Sequence, residues 1–246
     1  NNYVNTNPTR MYNNEIVIPQ ASSSYGFSIQ VCRVEFYHNT IYLGGSGNNY
    51  GLYLNQVSSG WPFYAKNNII ACLTSNINSG YAIYSNDASY VSTSSDCYLD
   101  YNNYYTAGNY IAYISGNIST LAALRTNTGQ DANSTNKVPY FYDYPNSTRV
   151  YGYDMVGPRF GNILTDIDNN PRTTITTMGA YEFTPSINLD IQPYTMITPS
   201  NVLNKGITEW VSISLKNVGK DTITTATINW KFNNVAQAPV IWTGTL

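Results

Sequence analysis

The sequence contains few charged residues. Lys, Arg, Asp and Glu make up 11% of its 246 residues, against about a quarter in an average globular domain. The formal net charge is −2, which provides no electrostatic footprint for nucleic acid or for an anionic membrane. Amides, hydroxyls and phenols must therefore make the surface hydrophilic. The chain contains 24 tyrosines. This composition favours an extracellular or outer cell-surface protein without a nucleic-acid partner.

Long apolar runs and a secretion signal are also missing. No stretch of 18 apolar residues is present, so no membrane-inserted helix is predicted. The first residues, NNYVNT, lack the basic and apolar regions of a signal peptide and already belong to a repeat. We therefore expect a fragment of a longer secreted protein, with upstream coils and the remaining domains of the parent chain as its neighbours.

Cysteine and histidine are too few for a metal centre or a disulfide scaffold. Cys32, Cys72 and Cys97 are odd in number and match no zinc-binding spacing. They occupy different positions of the repeat described below, which predicts free thiols instead of a bridge. The lone His38 has no nucleophile or carboxylate placed beside it by the repeat, which predicts a turn residue. We expect no metal and no cofactor.

A repeat organises the first half of the chain. Around each of four asparagines, apolar or small residues stand five and three positions before and two and four positions after. This is the period-two alternation of a strand, interrupted once. A glycine twelve positions after each of the first three asparagines opens another short strand. Spacings of 25, 29 and 34 residues are typical of solenoid repeats. The asparagines are Asn14, Asn39, Asn68 and Asn102.

Strands and turns without helices indicate a parallel β-helix, in which coils stack about 4.8 Å apart. Inward-facing asparagines would then form a ladder of hydrogen bonds between coils. The segments HNTIYL, KNNIIAC and DYNNYY resemble the repeats of secreted right-handed parallel β-helix proteins of Bacteroidetes type, which are pectate-lyase-like. ILTDIDNNPR followed by MGAYEF, residues 163–183, resembles the segment that ends such solenoids. The resemblance implies secretion and a polysaccharide-related or cell-surface role.

Three domains follow from this interpretation. Residues 1–136 are predicted to form the coils and to end in a short helix over 119–126, with Ser119 as N-cap and Gly129 as the stop. Residues 137–184 are predicted to cap the solenoid, and Pro185 to mark a boundary. The fold class is thus all-β: a right-handed parallel β-helix, a single-stranded solenoid with a C-terminal cap, followed by a partial Ig-like β-sandwich over 185–246.

The last segment alternates apolar and polar residues at sandwich-like spacing. It resembles the bacterial Ig-like, CARDB-like modules associated with adhesion. About four strands fit into it, whereas a sandwich needs about seven, so an incomplete module is expected. The residues that carry the resemblance are Val211, Ile213, Leu215, Lys216, Asn217, Gly219, Ile228 and Trp230.

Catalysis in a β-helix needs acids or bases at the same offset in successive coils, and the sequence has no such column. Paired carboxylates of the kind that glycosidases use are missing as well. Asp166, Asp168 and Asn170 imitate the start of a calcium loop, but Pro171 and Thr177 stand where glycine and glutamate are required. A structural turn fixed by aspartate and Arg172 is predicted instead, and no catalytic residue is assigned.

Outward positions of the first strand of each coil carry aromatic residues with isolated charges. Rings about 5 Å apart on a rigid stack can offer platforms to successive sugars. We therefore predict binding of a polysaccharide or cell-surface glycan, although these rings can equally serve to stabilise strand edges. Two other hypotheses are a ligand-free stalk and the C-terminal part of a polysaccharide lyase or glycosidase with catalytic coils upstream. The predicted site comprises Tyr12, Tyr37, Tyr64, Tyr98, Lys66, Asp100 and Trp61.

A modification site is also predicted. Asp221, Thr222 and Ile223 resemble the Asp-Thr-aliphatic sequence at which Bacteroidetes-type secretion systems O-glycosylate exported proteins. The tripeptide lies in a predicted turn, so we expect Thr222 to be accessible.

Overall fold

The computed structural model describes residues 7–143, 145–150, 154–183, 188–198 and 210–246. Contacts divide the chain into two compact units, Asn1–Phe183 and Thr184–Leu246. Pro185, the predicted boundary, and residues 1–6 of the predicted first domain lie outside the described residues.

The first unit contains a β-solenoid of about four turns, in which most strands of each coil pair in parallel with those of the next coil. This confirms the predicted parallel stacking of coils. The described strands are β1 (Thr9–Tyr12), β2 (Glu15–Ile29), β3 (Val34–Tyr37), β4 (Thr40–Leu54), β5 (Phe63–Lys66), β6 (Ile69–Thr74), β7 (Gly80–Ser85), β8 (Cys97–Asp100), β9 (Asn103–Thr106), β10 (Ala112–Ile114), β11 (Asn117–Ile118), β12 (Phe141–Asp143), β13 (Ser147–Val150), β14 (Val156–Pro158) and β15 (Ile175–Thr177). The helices in the described residues are α1 (Leu121–Thr128) and two short 3-10 helices, Ala88–Val91 and Thr93–Ser95.

The first sheet has the strand order β1-β3-β5-β8. Its register is the one that the asparagine spacing predicts, since Met11, Phe36, Ala65 and Leu99 are aligned across the four coils. Phe36 and Ala65 are completely buried. The alternation therefore works as expected: the apolar positions fill the solenoid interior, and the residues between them face outward.

The second sheet contains β2, β4, β6, β7 and β9–β11. β2 and β4 are 15 residues long, and β4 pairs with both β6 and β7. One prediction is wrong here: Tyr81 pairs with Tyr50 and faces outward, whereas the glycine spacing aligned it with inward-facing Leu52, whose partner is Ile83. The turn after β6 is two residues longer than predicted. A shift of two keeps Ile83 facing inward, so the alternation of apolar residues could not reveal it. The ring of Tyr81, at the start of β7, nevertheless packs between those of Tyr50 and Tyr110.

The four asparagines hydrogen-bond along the stack in one direction. The Nδ2 of Asn14 donates to the Oδ1 of Asn39 at 2.7 Å, and the next two steps, to Asn68 and then to Asn102, measure 3.0 and 2.9 Å. The backbone N–H of each donor residue reaches the same oxygen. The residue before each asparagine has a φ of 54° or 55°, a left-handed conformation that turns the side chain inward after the strand. The last three asparagines are fully buried, so the ladder satisfies polar groups inside an apolar stack.

The far end of the solenoid is closed by α1 and the residues that follow it. Leu124 of α1 belongs to the apolar core, and Thr135 adds a parallel bridge to Asn103 of the last coil. The helix ends at Gly129, as predicted, with a φ of 67°. Its N-cap is Thr120, whose side chain accepts from the N–H of Ala123 at 3.1 Å. The predicted cap, Ser119, is therefore one residue early.

Residues 137–183, predicted to be a cap, lie elsewhere. Their described part forms a strap along the asparagine corner of the stack and contacts every coil. The carbonyls of Lys137, Pro158 and Thr165 accept from Asn103, Asn67 and Asn13, and the N–H of Ala180 donates to Thr40. This strap (residues 137–183) covers a flank of the solenoid because the corner there carries polar groups that need partners.

The ladder ends at a buried carboxylate. The Nδ2 of Asn102 donates to the hydroxyl of Tyr104, which donates to the Oδ1 of Asp131 at 3.0 Å. Ser134 donates to the same oxygen at 2.6 Å, and Asp131 is 1% exposed. Burial raises the pKa of Asp131 to about 6, although the hydrogen bonds from Ser134 and Tyr104 oppose this shift.

We expect Asp131 to make the free energy of unfolding depend on pH. Its pKa is about 6 in the folded chain and about 3.9 in an unfolded one, so the folded state holds the proton more tightly. The stabilising contribution of the protonated form is therefore complete below about pH 4 and is lost as the pH rises through about 6, at a cost of about 3 kcal/mol. Asp131→Asn keeps the acceptor for Tyr104 and Ser134 and tolerates the local φ of 60°. Chemical unfolding across this pH range should give a flatter profile for D131N; identical profiles would contradict the assignment.

The second unit consists of antiparallel strand pairs in its described part. They are β16 (Ile191–Thr198) with β17 (Ser212–Asn217), β18 (Thr225–Ile228) with β21 (Val240–Thr243), and β19 (Lys231–Phe232) with β20 (Val235–Ala236). Val218 and Ile223 are buried, while Trp210 is 85% exposed. The unit is β structure, and the sandwich predicted for 185–246 stays a prediction.

Candidate ligand-binding surfaces

The first sheet places Tyr64 and Tyr98 side by side on its outer surface. The two residues are paired across β5 and β8, and their rings stack at 4.9 Å with a 12° angle between planes. Both side chains are partly exposed. Because the centroid distance exceeds the contact distance of ring faces, about 3.5–4 Å, the rings are offset and part of a face stays open.

Tyr37 is not part of that exposed surface, contrary to the prediction. It is 9% exposed because Phe160 of the strap packs against it, with ring centroids 6.0 Å apart. Burial, followed by the negative charge of Glu35, raises the pKa of Tyr37 above its ordinary value. Phe160 also covers the Lys66 ammonium, which lies 4.8 Å from its ring centroid. The strap thus divides the predicted strip.

The other predicted residues lie around this division. Asp100 pairs in register with Lys66, but its carboxylate accepts from the N–H and the side-chain amide of Asn133, both at 2.8 Å. Tyr12 is 47% exposed on the first coil and lines a cavity of about 210 Å³ together with Arg10 and strap residues 161–165. Tyr12 is therefore separated from the Tyr64–Tyr98 pair.

Asp96, which sequence reasoning missed, connects that pair to the loop that carries Trp61. Its Oδ1 accepts from the Tyr98 hydroxyl at 3.2 Å, and its Oδ2 accepts from the N–H of Gly60 at 2.7 Å. Trp61 is 38% exposed. Two stacked phenols and a carboxylate therefore lie together, next to the loop that carries Trp61, and we call Tyr64, Tyr98, Trp61 and Asp96 the first-sheet site.

A larger aromatic surface covers the outer side of the second sheet. Seven tyrosines form two columns, and each column runs along the stack from one coil to the next. We call this surface the tyrosine face. Its first column is Tyr25, Tyr50, Tyr81 and Tyr110, and its second column is Tyr53, Tyr84 and Tyr113.

Rings within a column of this face are nearly parallel, except that Tyr25 and Tyr50 meet at 35°, and rings in different columns are tilted. Tyr50 and Tyr81 stack at 6.2 Å and 11°, and Tyr53 and Tyr84 stack at 5.5 Å and 12°. Between the columns, Tyr50 and Tyr84 lie 4.3 Å apart at 55°, and Tyr81 meets Tyr113 at 75°. These are the offset-stacked and edge-to-face arrangements that aromatic rings prefer, so the face is a rigid array.

The sequence contains a pattern that predicts this face, but counting positions from the asparagines does not reveal it. Tyr25 and Tyr50 stand eleven positions after their asparagines, but Tyr81 stands thirteen after and Tyr110 eight after. Only the pairing of the strands brings them into one column. A search for tyrosine followed two positions later by an apolar inward residue, as in Tyr50 with Leu52, would have found it.

A polar network fixes the strap to the solenoid. Arg172 is completely buried and donates to Glu182 at 3.0 Å and to the carbonyls of Gly179 and Ala180. Burial lowers the pKa of Arg172 and raises that of Glu182, and their contact opposes both shifts. Asp166 accepts from the N–H groups of Asp168 and Asn170, both at 2.8 Å. Its carboxylate also accepts the N–H of Glu182, so it stabilises a turn.

His38 lies in a turn, as predicted, and is also fully buried beneath the strap. Its Nε2 is 3.3 Å from the Nδ2 of Asn67. Burial, and then the charge of Arg172, holds the pKa of His38 well below its ordinary value, so the imidazole is neutral. Cys32, Cys72 and Cys97 are free thiols. Within the ranges that the structure describes, no group of three or more His, Cys, Asp and Glu side chains is placed to hold a metal ion.

The same described ranges contain no helix that is long and apolar enough to cross a membrane. Comparison of the chain with protein-family profiles, with curated proteins and with solved structures gives no match.

Proposed function

We propose that this chain is a non-catalytic part of a large secreted or cell-surface protein, and that its solenoid presents a surface that binds glycan. The observation that carries this proposal is the first-sheet site. Tyr64 and Tyr98 offer partly open ring faces to the apolar C–H face of a sugar, and Asp96 can accept hydrogen bonds from hydroxyls. Successive coils hold the rings in fixed positions, so little ordering cost is added on binding.

The test is retention of neutral and acidic linear oligosaccharides on an immobilised panel. In a chain that also carries Tyr53→Ser/Tyr84→Ser, which alters the tyrosine face, the double variant Tyr64→Ser/Tyr98→Ser should reduce retention by about tenfold or more, equivalent to about 1.4 kcal/mol. Tyr105→Ser is the matched control, because Tyr105 is also partly exposed but lies on another part of the solenoid. Circular dichroism must show that both proteins are folded. If the parent retains no oligosaccharide, or if the double variant and the control bind alike, this site does not bind glycan.

The alternative is a C-terminal part of a polysaccharide lyase or glycosidase whose catalytic coils lie upstream. It agrees with the same solenoid and the same aromatic surfaces. The parent protein decides between the two: acidic residues at one offset in successive upstream coils would favour the enzyme, and their absence there would favour a binding protein.

We also propose that residues 185–246 belong to an Ig-like, adhesion-associated module. The large exposed fraction of Trp210, 85%, and of Ile241, 71%, supports this, because a second sheet of such a module would cover apolar residues of this kind. A structure of the parent protein in which no sheet packs on β16–β17 or β18–β21 would exclude the sandwich.

Thr222 is proposed as an O-glycosylation site. It is exposed in the loop between β17 and β18, where a modifying enzyme could reach its hydroxyl. We expect intact-mass analysis of native material to show an added glycan that disappears in Thr222→Ala. An unmodified mass for the native chain would remove this proposal.

A further inference from the structure

We infer that the tyrosine face is a second, extended binding site for a linear neutral polysaccharide whose chain runs along the solenoid axis. The inference depends on the second sheet alone and is independent of the first-sheet site. It would hold or fail without changing the status of Tyr64 and Tyr98.

The shape of the face fits a linear chain that runs along the stack. One ring column spans four coils and the other spans three, with neighbouring ring centroids in a column 4.9–6.3 Å apart. This spacing is close to the repeat of a pyranose ring with its glycosidic bond. Across the strands the face is only two rings wide. A linear chain therefore contacts most rings when it lies parallel to the columns.

The chemical groups of the face suit a sugar. The hydroxyls of Tyr81 and Tyr84 are held by Asn78, Asn117 and Asn86. Among the described residues, none hydrogen-bonds the other five hydroxyls of the face. A sugar has an apolar C–H face and a rim of hydroxyls, so one tyrosine can contact both through its ring and its phenol. The five hydroxyls belong to Tyr25, Tyr50, Tyr53, Tyr110 and Tyr113.

The strand segments of the face are uncharged. The strand segments that carry the face, 25–29, 50–54, 80–85 and 110–114, contain no Lys, Arg, Asp or Glu. An anionic polysaccharide would find no cation there for its carboxylates or sulfates, and a basic peptide would find no acid. The absence of charge in these segments selects a neutral ligand.

The rings of the face differ in exposure. Tyr25, at one end of the first column, is 52% exposed, whereas Tyr81 in the middle is 9% exposed. The remaining five rings are partly exposed. The middle of the face is thus a rigid floor made by its neighbours, and the outer rings and the second column supply the contact area for a ligand.

The test is titration of the whole chain with neutral linear gluco- and xylo-oligosaccharides, from disaccharide to hexasaccharide, by calorimetry. Affinity should rise by about tenfold between disaccharide and tetrasaccharide and then level off, because the longer column has four rings. Oligogalacturonate of equal length should bind more weakly. The double variant Tyr53→Ser/Tyr84→Ser should lose about tenfold or more for the tetrasaccharide, whereas Tyr53→Phe/Tyr84→Phe, which keeps the rings, should retain most of the affinity.

Controls separate this inference from the proposed function and from misfolding. Y64S/Y98S should leave the gain with chain length unchanged; if that variant abolishes all binding, the first-sheet site is real and the tyrosine face is not a site. Should Y53S/Y84S fail to fold, Tyr25→Ser and Tyr113→Ser at the ends of the face replace it. Each must weaken the tetrasaccharide more than the disaccharide. No gain with length, preferential binding of oligogalacturonate, or loss of self-association as the only effect of Y53S/Y84S would overturn the inference.

Discussion

Replacement of Asn68 by alanine should lower the free energy of unfolding by about 4 kcal/mol. Asn68 is completely buried, and its Oδ1 accepts from both the N–H and the Nδ2 of Asn39, at 2.9 and 3.0 Å. Its own Nδ2 donates to the carbonyl of Phe36 and to Asn102. Alanine would leave the N–H of Asn39 without its acceptor in a dry interior, where an unsatisfied group costs about 1–3 kcal/mol. The Nδ2 of Asn39, the carbonyl of Phe36 and the Oδ1 of Asn102 would each lose one further hydrogen bond. Urea or guanidinium unfolding measures the loss.

Asn14→Ala is the matched control for this measurement. Asn14 occupies the same column, but it is exposed and only donates to Asn39 and to the carbonyl of Tyr12. Water can replace those contacts, so we expect a loss of less than about 1 kcal/mol. Equal losses for N14A and N68A would mean that burial of the ladder is not what makes it stabilising.

Replacement of Arg172 by alanine should destabilise the first unit by about 4 kcal/mol, and the strap should detach first. The Arg172 and Glu182 side chains are 0% and 4% exposed, so removal of the cation leaves a buried carboxylate without its partner. The carbonyls of Gly179 and Ala180 lose a donor as well. Limited proteolysis should cut within 137–183 before it cuts the coils, and chemical unfolding should show the loss of stability.

Arg149→Ala provides the comparison for this variant. Arg149 forms an ion pair with Asp168, and both side chains are about 40% exposed, so the expected change is below about 1 kcal/mol. The double variant Arg172→Ala/Glu182→Gln should recover part of the stability, because a neutral amide costs less to bury than a carboxylate. If R172A is as stable and as resistant to proteolysis as R149A, the strap is not held by this pair.

The parts of the fold that follow from local alternation could be predicted from the sequence. The asparagines and their apolar neighbours predict the register of the first sheet residue by residue, from Thr9 opposite Val34 to Cys97 opposite Phe63. The glycine spacing could not place Tyr81, because a turn two residues longer leaves the inward position of Ile83 unchanged. Burial strongly determines which residues of a strand face inward, but it does not determine how long a turn is.

Long-range packing determines the parts of the fold and of the candidate sites that the sequence did not predict. Nothing near Tyr37 indicates that Phe160, more than a hundred residues later, lies against it. The strap shows the same difficulty: its apolar residues predict burial, but only the partners of Asn13, Asn67 and Asn103 show that it covers a polar corner. The tyrosine face was missed because its members have different offsets from the asparagines. Pairing across coils, which is not encoded at a fixed spacing, aligns them.

The most direct measurement is an NMR titration of the chain, carrying isotope-labelled tyrosine, with a neutral linear tetrasaccharide. If the outer aromatic surfaces of the solenoid bind carbohydrate, ring signals of partly exposed tyrosines such as Tyr53, Tyr84 and Tyr64 should shift with saturation. Those of Tyr37 and Tyr104, which are buried, should stay in place. Absence of any shift, or equal shifts for buried and exposed rings, would contradict binding at these surfaces.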